Sequence, residues 1–145
     1  MRLFHYALIP YLPDLQFRGQ LRELVAILHD LKSKGKTNHL LINQVMDFSP
    51  RNLTSYFLLY RIEYRRRYRK DVDLSIVQEC LAWGGDLPML YEPFAGWHCY
   101  EYLRVCMANL YEKHLFGIGK SRITDEEWKR LCDGYKAITG EEYVI

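Results

Sequence analysis

The stretch that decides the fold class is residues 14–32, DLQFRGQLRELVAILHDLK. Large apolar side chains recur in it at intervals of four, three, four and three residues, at Phe17, Leu21, Leu24, Leu28 and Leu31. This spacing places all of them on one face of an α-helix. Because Asp14 follows Pro13 and its carboxylate can accept a backbone hydrogen bond, we expect the helix to begin near Asp14, with that residue as its N-cap. The stretch therefore predicts an amphipathic helix that packs on a core.

Helical signals continue through the rest of the chain. Ser49-Pro50 has the residue order that opens a helix, and Thr124 with Glu127 fits a capping box. The further predicted helices span residues 39–46, 50–70, 73–83, 97–114 and 125–138, with loops over 32–38 and 84–96. We find no internal repeat and no convincing pair of strands. The prediction is an all-α protein, and 145 residues fit one compact helical domain over residues 1–145.

The composition excludes several classes of protein. Hydrophobic residues make up 49% and charged residues 26% of the chain, as in ordinary globular proteins. The net charge of +2 implies no strong overall field, and no apolar run approaches the length that spans a bilayer. Pro10, Pro13 and Asp14 interrupt the amino-terminal apolar run, so it is no signal peptide. The four cysteines fit no secreted framework, which indicates reduced, buried thiols in a cytoplasmic protein.

The densest positive charge lies in residues 61–70, RIEYRRRYRK, where six cations are opposed by Glu63 alone. Arg61, Arg65 and Arg69 are spaced four residues apart and so share one helical face. Such a stripe can neutralise the phosphates of a nucleic acid while neighbouring tyrosines pack inward. It can equally be the solvated face of an ordinary helix, and the sequence leaves both interpretations open.

Other chemical motifs are incomplete. GIGKS, residues 117–121, resembles the end of a phosphate-binding loop, but His114 stands where the motif requires glycine and no strand precedes it. The histidines do not have the spacing of a zinc site. No serine lies in a nucleophile elbow, and no catalytic triad can be singled out. We therefore predict no metal site.

The amino end and Glu23 suggest a different chemistry. The apolar, aromatic start MRLFHYALIPYL, residues 1–12, predicts an ordered terminus rather than a frayed one. Glu23 lies beside the apolar stripe of its helix, where a carboxylate is costly unless it is paired or used. An α-amine has a pKa of about 7.7–8.0, so part of it is neutral and nucleophilic at neutral pH. The alternative is that Glu23 forms a salt bridge with a neighbouring arginine.

Two longer stretches resemble a known family. One is the amino end through DLQFRGQLREL (14–24), with Arg-Glu-Leu at the family's distance from the start. The other is FSPRNLTSYFLLYRIEYRRRYRKDVDLSIVQECLAWG (48–84), and LYEK (110–113) is a weaker match. In these stretches the chain resembles the pyrimidine dimer DNA glycosylases of the phage endonuclease V type. The resemblance covers most of residues 1–113.

This resemblance implies an all-α fold whose amino end runs between helices to the active site. It implies a DNA repair glycosylase with abasic-site lyase activity, in which the amine of Met1 attacks C1′ of a damaged nucleotide and forms a Schiff base before β-elimination. Glu23 would be the second catalytic residue. The residues that would hold DNA are Arg2, Gln16, Arg18, Arg22 and Lys113. The expected partner is double-stranded DNA with pyrimidine dimers, related lesions or abasic sites, bound by a monomer in the cytoplasm, at the nucleoid, without metal or cofactor.

The sequence departs from the family pattern at informative positions. Family members typically have a small second residue, so that their methionine is removed, whereas we expect the bulky Arg2 to block the removal of Met1 here. Ala26 stands where the family has an arginine that is expected to contact phosphate, and Asn109 stands where it has an arginine one turn before the lysine. Two alternatives stay open: a non-catalytic helical module that binds DNA or RNA through residues 61–70, and a relative whose amine acts on another substrate.

Overall fold

The protein is helical, as the local sequence signals predict. Its computed structural model describes residues 3–35, 43–84 and 88–145. These residues form five α-helices and three short 3₁₀ segments, with no strand among them, so the all-α prediction is confirmed. They group into two compact units. The first unit contains Leu3 and residues 19–95, and the second contains Phe4–Arg18 and Gly96–Ile145. The single domain and the amino end threaded between helices stay predictions.

Helix α1 spans Asp14–Lys34 and carries the predicted apolar stripe. Phe17, Leu24, Leu28 and Leu31 are buried on this face. Asp14 is the first helical residue rather than the N-cap, because Pro13 supplies the carbonyl that accepts the Phe17 N–H. The helix stops at Gly35, whose φ of 73° is a left-handed conformation that glycine adopts without a steric penalty.

In the first unit, α2 (Pro50–Tyr68) packs against α3 (Leu74–Gly84). Ser49 and Pro50 take the predicted N-cap and first positions, but the helix ends before Lys70 because Arg69 adopts a left-handed conformation with φ 57°. Gly84 is required by close packing, since a Cβ there would lie 1.8 Å from Thr54 Oγ1. Of the predicted helix over 39–46, residues 39–42 lie outside the described part, and Asn43–Asp47 form a 3₁₀ segment.

The core of the first unit is aromatic. Tyr56, Phe57 and Tyr60 of α2 are fully buried, as is Phe94 from the predicted loop. The described end of that loop is irregular and is held to α2 by side chains. The backbone N–H of Phe94 donates to Asn52 Oδ1 at 2.8 Å, and the N–H of Leu90 donates to Ser55 Oγ at the same distance.

The second unit contains α4 (Tyr100–Phe116), α5 (Asp125–Thr139) and the 3₁₀ segments Tyr6–Tyr11 and Gly119–Ser121. The predicted capping box is present, with reciprocal hydrogen bonds of 2.9 and 3.1 Å between Thr124 and Glu127. A Cβ on Gly134 would lie 2.4 Å from the Tyr11 ring, so α5 and the first 3₁₀ segment approach closely. In the described part of the chain no helix is long and apolar enough to cross a membrane.

The cysteines are free thiols, as predicted, but they are not uniformly buried. Cys80 and Cys106 are buried, Cys132 is half-buried and Cys99 is exposed at the start of α4. Burial raises the pKa of the Cys80 thiol to about 11, so this side chain behaves as a small apolar group at neutral pH.

Candidate active site

The two units divide the predicted site residues. Arg22 and Glu23 lie on the part of α1 that belongs to the first unit. Met1 and Arg2 lie outside the described residues. The predicted approach of the Met1 amine to the Glu23 carboxylate therefore stays a prediction.

The Glu23 side chain is half-buried and held by a neutral donor. Gln20, one turn earlier on α1, donates from Nε2 to Glu23 Oε2 at 3.4 Å. No arginine of the described residues forms an ion pair with Glu23, so the alternative of a structural salt bridge is wrong for this part of the chain. Within residues 3–35, 43–84 and 88–145, Glu23 is thus oriented without forming an ion pair.

Gln20 is itself fixed by α2. Its side chain is 3% exposed, and its Oε1 accepts hydrogen bonds from the hydroxyls of Tyr56 at 3.2 Å and Tyr60 at 3.3 Å. Both tyrosines are completely buried and one helical turn apart. No motif in the sequence singles out Gln20, Tyr56 or Tyr60. The available signal was a glutamine one turn before the glutamate, together with tyrosines on the inner face of α2.

Arg22 has a different environment from Glu23. Its side chain is exposed and borders a mostly apolar cavity of about 220 Å³ between α1, α2 and the start of α3. Phe57 and Tyr64 line this cavity from α2, and Asp73 contributes the second charged group. Arg22 forms no ion pair with another described residue, so its guanidinium is available to a phosphate.

The remaining predicted DNA-binding residues belong to the second unit. Gln16 is half-buried, and Arg18 is exposed and lies 3.7 Å from Asp14 across one turn of α1. Lys113 is exposed in the last turn of α4 and borders a shallow concavity of about 380 Å³. An exposed surface pair such as that of Arg18 contributes little to stability, so both cations can contact a phosphate at small cost.

The basic segment 61–70 is divided between structural and exposed charges. Arg61 donates to both Asp71 oxygens, at 3.0 and 2.7 Å, and this hydrogen bonding lowers the pKa of Asp71. Arg66 and Arg67 both pair with Glu63, which is buried. The cations that form no ion pair with described residues are Arg65, Arg69 and Lys70. Together with Arg66 these three border a surface concavity of about 550 Å³.

Comparison with protein-family sequence models identifies the chain. The model described as pyrimidine dimer DNA glycosylase matches residues 1–75, just over half of the 145 residues. The chain belongs to this family. A search of curated proteins and a search of solved structures gave no significant match.

Family membership confirms the resemblance noted in the sequence and makes DNA the expected substrate. The matched range contains Glu23, Arg22 and Gln20, together with both tyrosines that bind Gln20. Lys113 lies beyond it, so its assignment rests on the weaker LYEK resemblance. Among the described residues, no three His, Cys, Asp or Glu side chains are grouped so as to hold a metal ion.

Proposed function

We propose that this member of the pyrimidine dimer DNA glycosylase family removes damaged pyrimidines from duplex DNA and then cleaves the abasic strand through a Schiff base of the Met1 amine. Family membership supports the glycosylase activity. The observation that carries the site is Glu23, a half-buried carboxylate that is held by Gln20 and has no arginine partner in the described part of the chain.

The reaction begins with the lone pair of the neutral Met1 amine, which attacks C1′ of the damaged nucleotide. The bond from C1′ to the base nitrogen breaks, and its electron pair leaves with the base, which takes up a proton. The attacking nitrogen loses a proton, and the sugar ring opens with protonation of O4′ to give a protonated Schiff base. Removal of a proton from C2′ then expels the 3′ phosphate, and water hydrolyses the Schiff base to release the strand.

Glu23 has two roles in this proposal. Its negative charge stabilises the positive charge that develops on the sugar and on the Schiff base nitrogen. Its free carboxylate oxygen can accept and return the protons that these steps require. An arginine paired with Glu23 would oppose both roles, which is why the neutral donor Gln20, the one hydrogen-bond partner of Glu23 among the described residues, supports the assignment.

The DNA is held by charge and by deformation. Arg2, Arg18, Arg22 and Lys113 contact phosphates in this proposal, and Gln16 contacts the opened duplex. Because a stacked nucleotide does not expose C1′ to an amine, the duplex must be bent or the nucleotide flipped. In this proposal one chain supplies every residue of the site, and the protein acts as a monomer on nucleoid DNA in the cytoplasm.

The proposal is tested by reduction with borohydride in the presence of duplexes that carry an abasic site or a cyclobutane dimer. The wild-type protein should form a covalent adduct that maps to the first peptide. Acetylation of the terminus should abolish the adduct, because an amide nitrogen forms no imine. An adduct that survives acetylation would assign the nucleophile to another amine, with Lys113 the first to test.

A second candidate function is the binding of DNA or RNA without catalysis. It is supported by the surface concavity that Arg65, Arg69 and Lys70 border, where these cations could contact phosphates. It predicts binding of undamaged DNA or RNA with no adduct under any condition. Replacing these three cations by glutamine should then abolish binding, whereas in the glycosylase proposal the adduct still forms on abasic DNA.

A further inference from the structure

We infer that Gln20, held by Tyr56 and Tyr60, is a positioning residue that sets the orientation of the Glu23 carboxylate. This inference rests on the proposed function of Glu23. It assigns to three buried polar side chains of the first unit a part in the reaction that no sequence motif indicates.

The direction of the Gln20 amide follows from chemistry. An ionised carboxylate only accepts hydrogen bonds, so the end of Gln20 that faces Glu23 must be the NH₂ group. The carbonyl end then faces the hydroxyls of Tyr56 and Tyr60, and both must donate to it. All three contacts, at 3.2, 3.3 and 3.4 Å, are consistent with this one arrangement.

Burial makes the arrangement rigid. Gln20 is 3% exposed and both tyrosines are completely buried, so these polar groups are held by partners within the protein rather than by bulk water. Rotating the amide would place its NH₂ group against two hydroxyls and its carbonyl against the carboxylate, with loss of the bond to Glu23. Two helices, α1 and α2, therefore determine where the carboxylate points.

The hydrogen bond from Gln20 makes the two carboxylate oxygens of Glu23 different. Oε2 accepts from Gln20, whereas Oε1 has no hydrogen bond within the described residues. Oε1 is therefore the oxygen that faces the reacting amine and sugar in our proposal. Because the amide donor is neutral, it aligns the carboxylate and leaves the negative charge in place.

The test is the single-turnover rate of strand cleavage on a preformed abasic duplex, measured at saturating enzyme together with the Kd. Gln20→Met keeps the volume and removes the donor, and should lower the rate roughly tenfold with an unchanged Kd. Gln78→Met, on the exposed face of α3, is the matched control and should leave both unchanged.

A double-mutant cycle separates positioning from packing. Tyr60→Phe should lower the rate severalfold in the wild-type background but should have no further effect on the rate in Gln20→Met, because in this inference its hydroxyl affects the reaction through the amide. Tyr56→Phe should behave in the same way. Equal effects of Tyr60→Phe in both backgrounds would overturn the relay and indicate a role in packing alone.

The pH profile tests whether Gln20 lies against Glu23 in the acting enzyme. Gln20→Glu places a second carboxylate against Glu23, and two like charges resist ionising together. The acidic limb of the rate profile should therefore move to higher pH, whereas an unmoved limb would contradict the inference. Far-UV circular dichroism establishes that each variant is folded, and if Gln20→Met is unfolded the tyrosine variants carry the test.

The two proposals fail in different ways. If the wild-type protein forms no adduct on abasic DNA, the proposed function fails. If the wild-type protein forms the adduct and Gln20→Met cleaves at the wild-type rate, the relay alone fails.

Discussion

Two glutamates of the first unit, Glu23 and Glu63, differ in burial and in the charge of the groups that donate hydrogen bonds to them. Glu63 is 4% exposed and accepts from Arg66 Nε at 2.7 and 2.8 Å, with Arg67 as a second cation. Glu23 is half-buried and receives a single bond from a neutral amide. A carboxylate as buried as Glu63 must be paired with a cation to stay charged inside a protein.

The difference suggests how a structural carboxylate can be told from the one that we propose to be reactive. Pairing with arginines neutralises Glu63 and uses its lone pairs, so little is left for a substrate. Gln20 orients Glu23 and leaves its charge uncompensated within the described residues. A negative charge kept in this way is what a cationic sugar or Schiff base requires. The predictions below test whether this contrast in partners is also a contrast in function.

The largest effect is expected from Glu23→Gln. The change removes the charge and keeps the volume, so the protein should fold and bind DNA while the cleavage rate falls at least about a hundredfold. The measurement is the single-turnover rate on abasic duplex. Glu126→Gln, an exposed position in the first turn of α5, is the matched control. A rate within threefold of wild type would remove Glu23 from the chemistry and end the comparison.

Acid should destabilise the fold through two histidines of the second unit, and this must be separated from any effect on Glu23. Burial lowers the pKa of His5 to about 4 and of His98 to about 3. In each ring Nδ1 accepts a backbone N–H, from Ala7 and Tyr6 respectively, which requires that nitrogen to be unprotonated.

The unfolded chain binds protons on these rings from about pH 6.5 downward, whereas the folded protein does not, so stability is lost as pH falls through this window. We expect the free energy of unfolding to drop by on the order of a few kcal/mol between pH 7 and pH 5. Urea titrations at the two pH values measure it. In His98→Asn this pH dependence should shrink, and an undiminished dependence would assign the acid sensitivity to other groups.

Glu63→Gln should affect stability rather than chemistry. It removes the carboxylate that pairs with the largely buried Arg67, and we expect a loss of about 2 kcal/mol in the free energy of unfolding. Glu79→Gln breaks only an exposed pair with Lys32 at 3.2 Å and should cost less than about 1 kcal/mol. Denaturant titration compares the two variants. The cleavage rate of folded Glu63→Gln should remain that of wild type, and a large fall would show that the two glutamates are not separate in function.

The sequence predicted the helices well because their signals are local. The apolar period of α1 and the capping box of α5 both appear as expected. The predicted helix ends were less accurate. For example, α2 ends because Arg69 adopts a left-handed backbone conformation, and no glycine or proline marks this position in the sequence. The positioning role that we infer for Gln20 could not be predicted, because it depends on contacts with the hydroxyls of Tyr56 and Tyr60. These residues lie 36 and 40 positions further along the chain.

The burial of Glu63 is a second feature that could not be predicted from the sequence. In the sequence Glu63 is one acidic residue within a basic stripe, and a stripe on one helical face is compatible with solvent or with nucleic acid. The structure instead buries Glu63 against Arg66 and Arg67, so both cations are paired with a carboxylate, although Arg66 itself stays exposed. Charge periodicity gives the face of a residue but not the depth to which tertiary packing buries it.

The smallest effect concerns the cations beside the two glutamates. Arg22→Gln and Arg66→Gln each lower the net charge by one, from +2 to +1, so a response to overall charge alone would be identical. Arg22 is free of ion pairs within the described residues, whereas Arg66 is held by Glu63. If Arg22 contacts a phosphate, its replacement should make the fall of log K for DNA binding with log salt concentration less steep, by about 0.9 in the slope. The reason is that one counterion fewer is released. Arg66→Gln should leave the slope unchanged. Binding titrations on an abasic duplex at several salt concentrations measure both, and equal slopes for the two variants would mean that DNA senses the net charge of the protein and not the arginine next to Glu23.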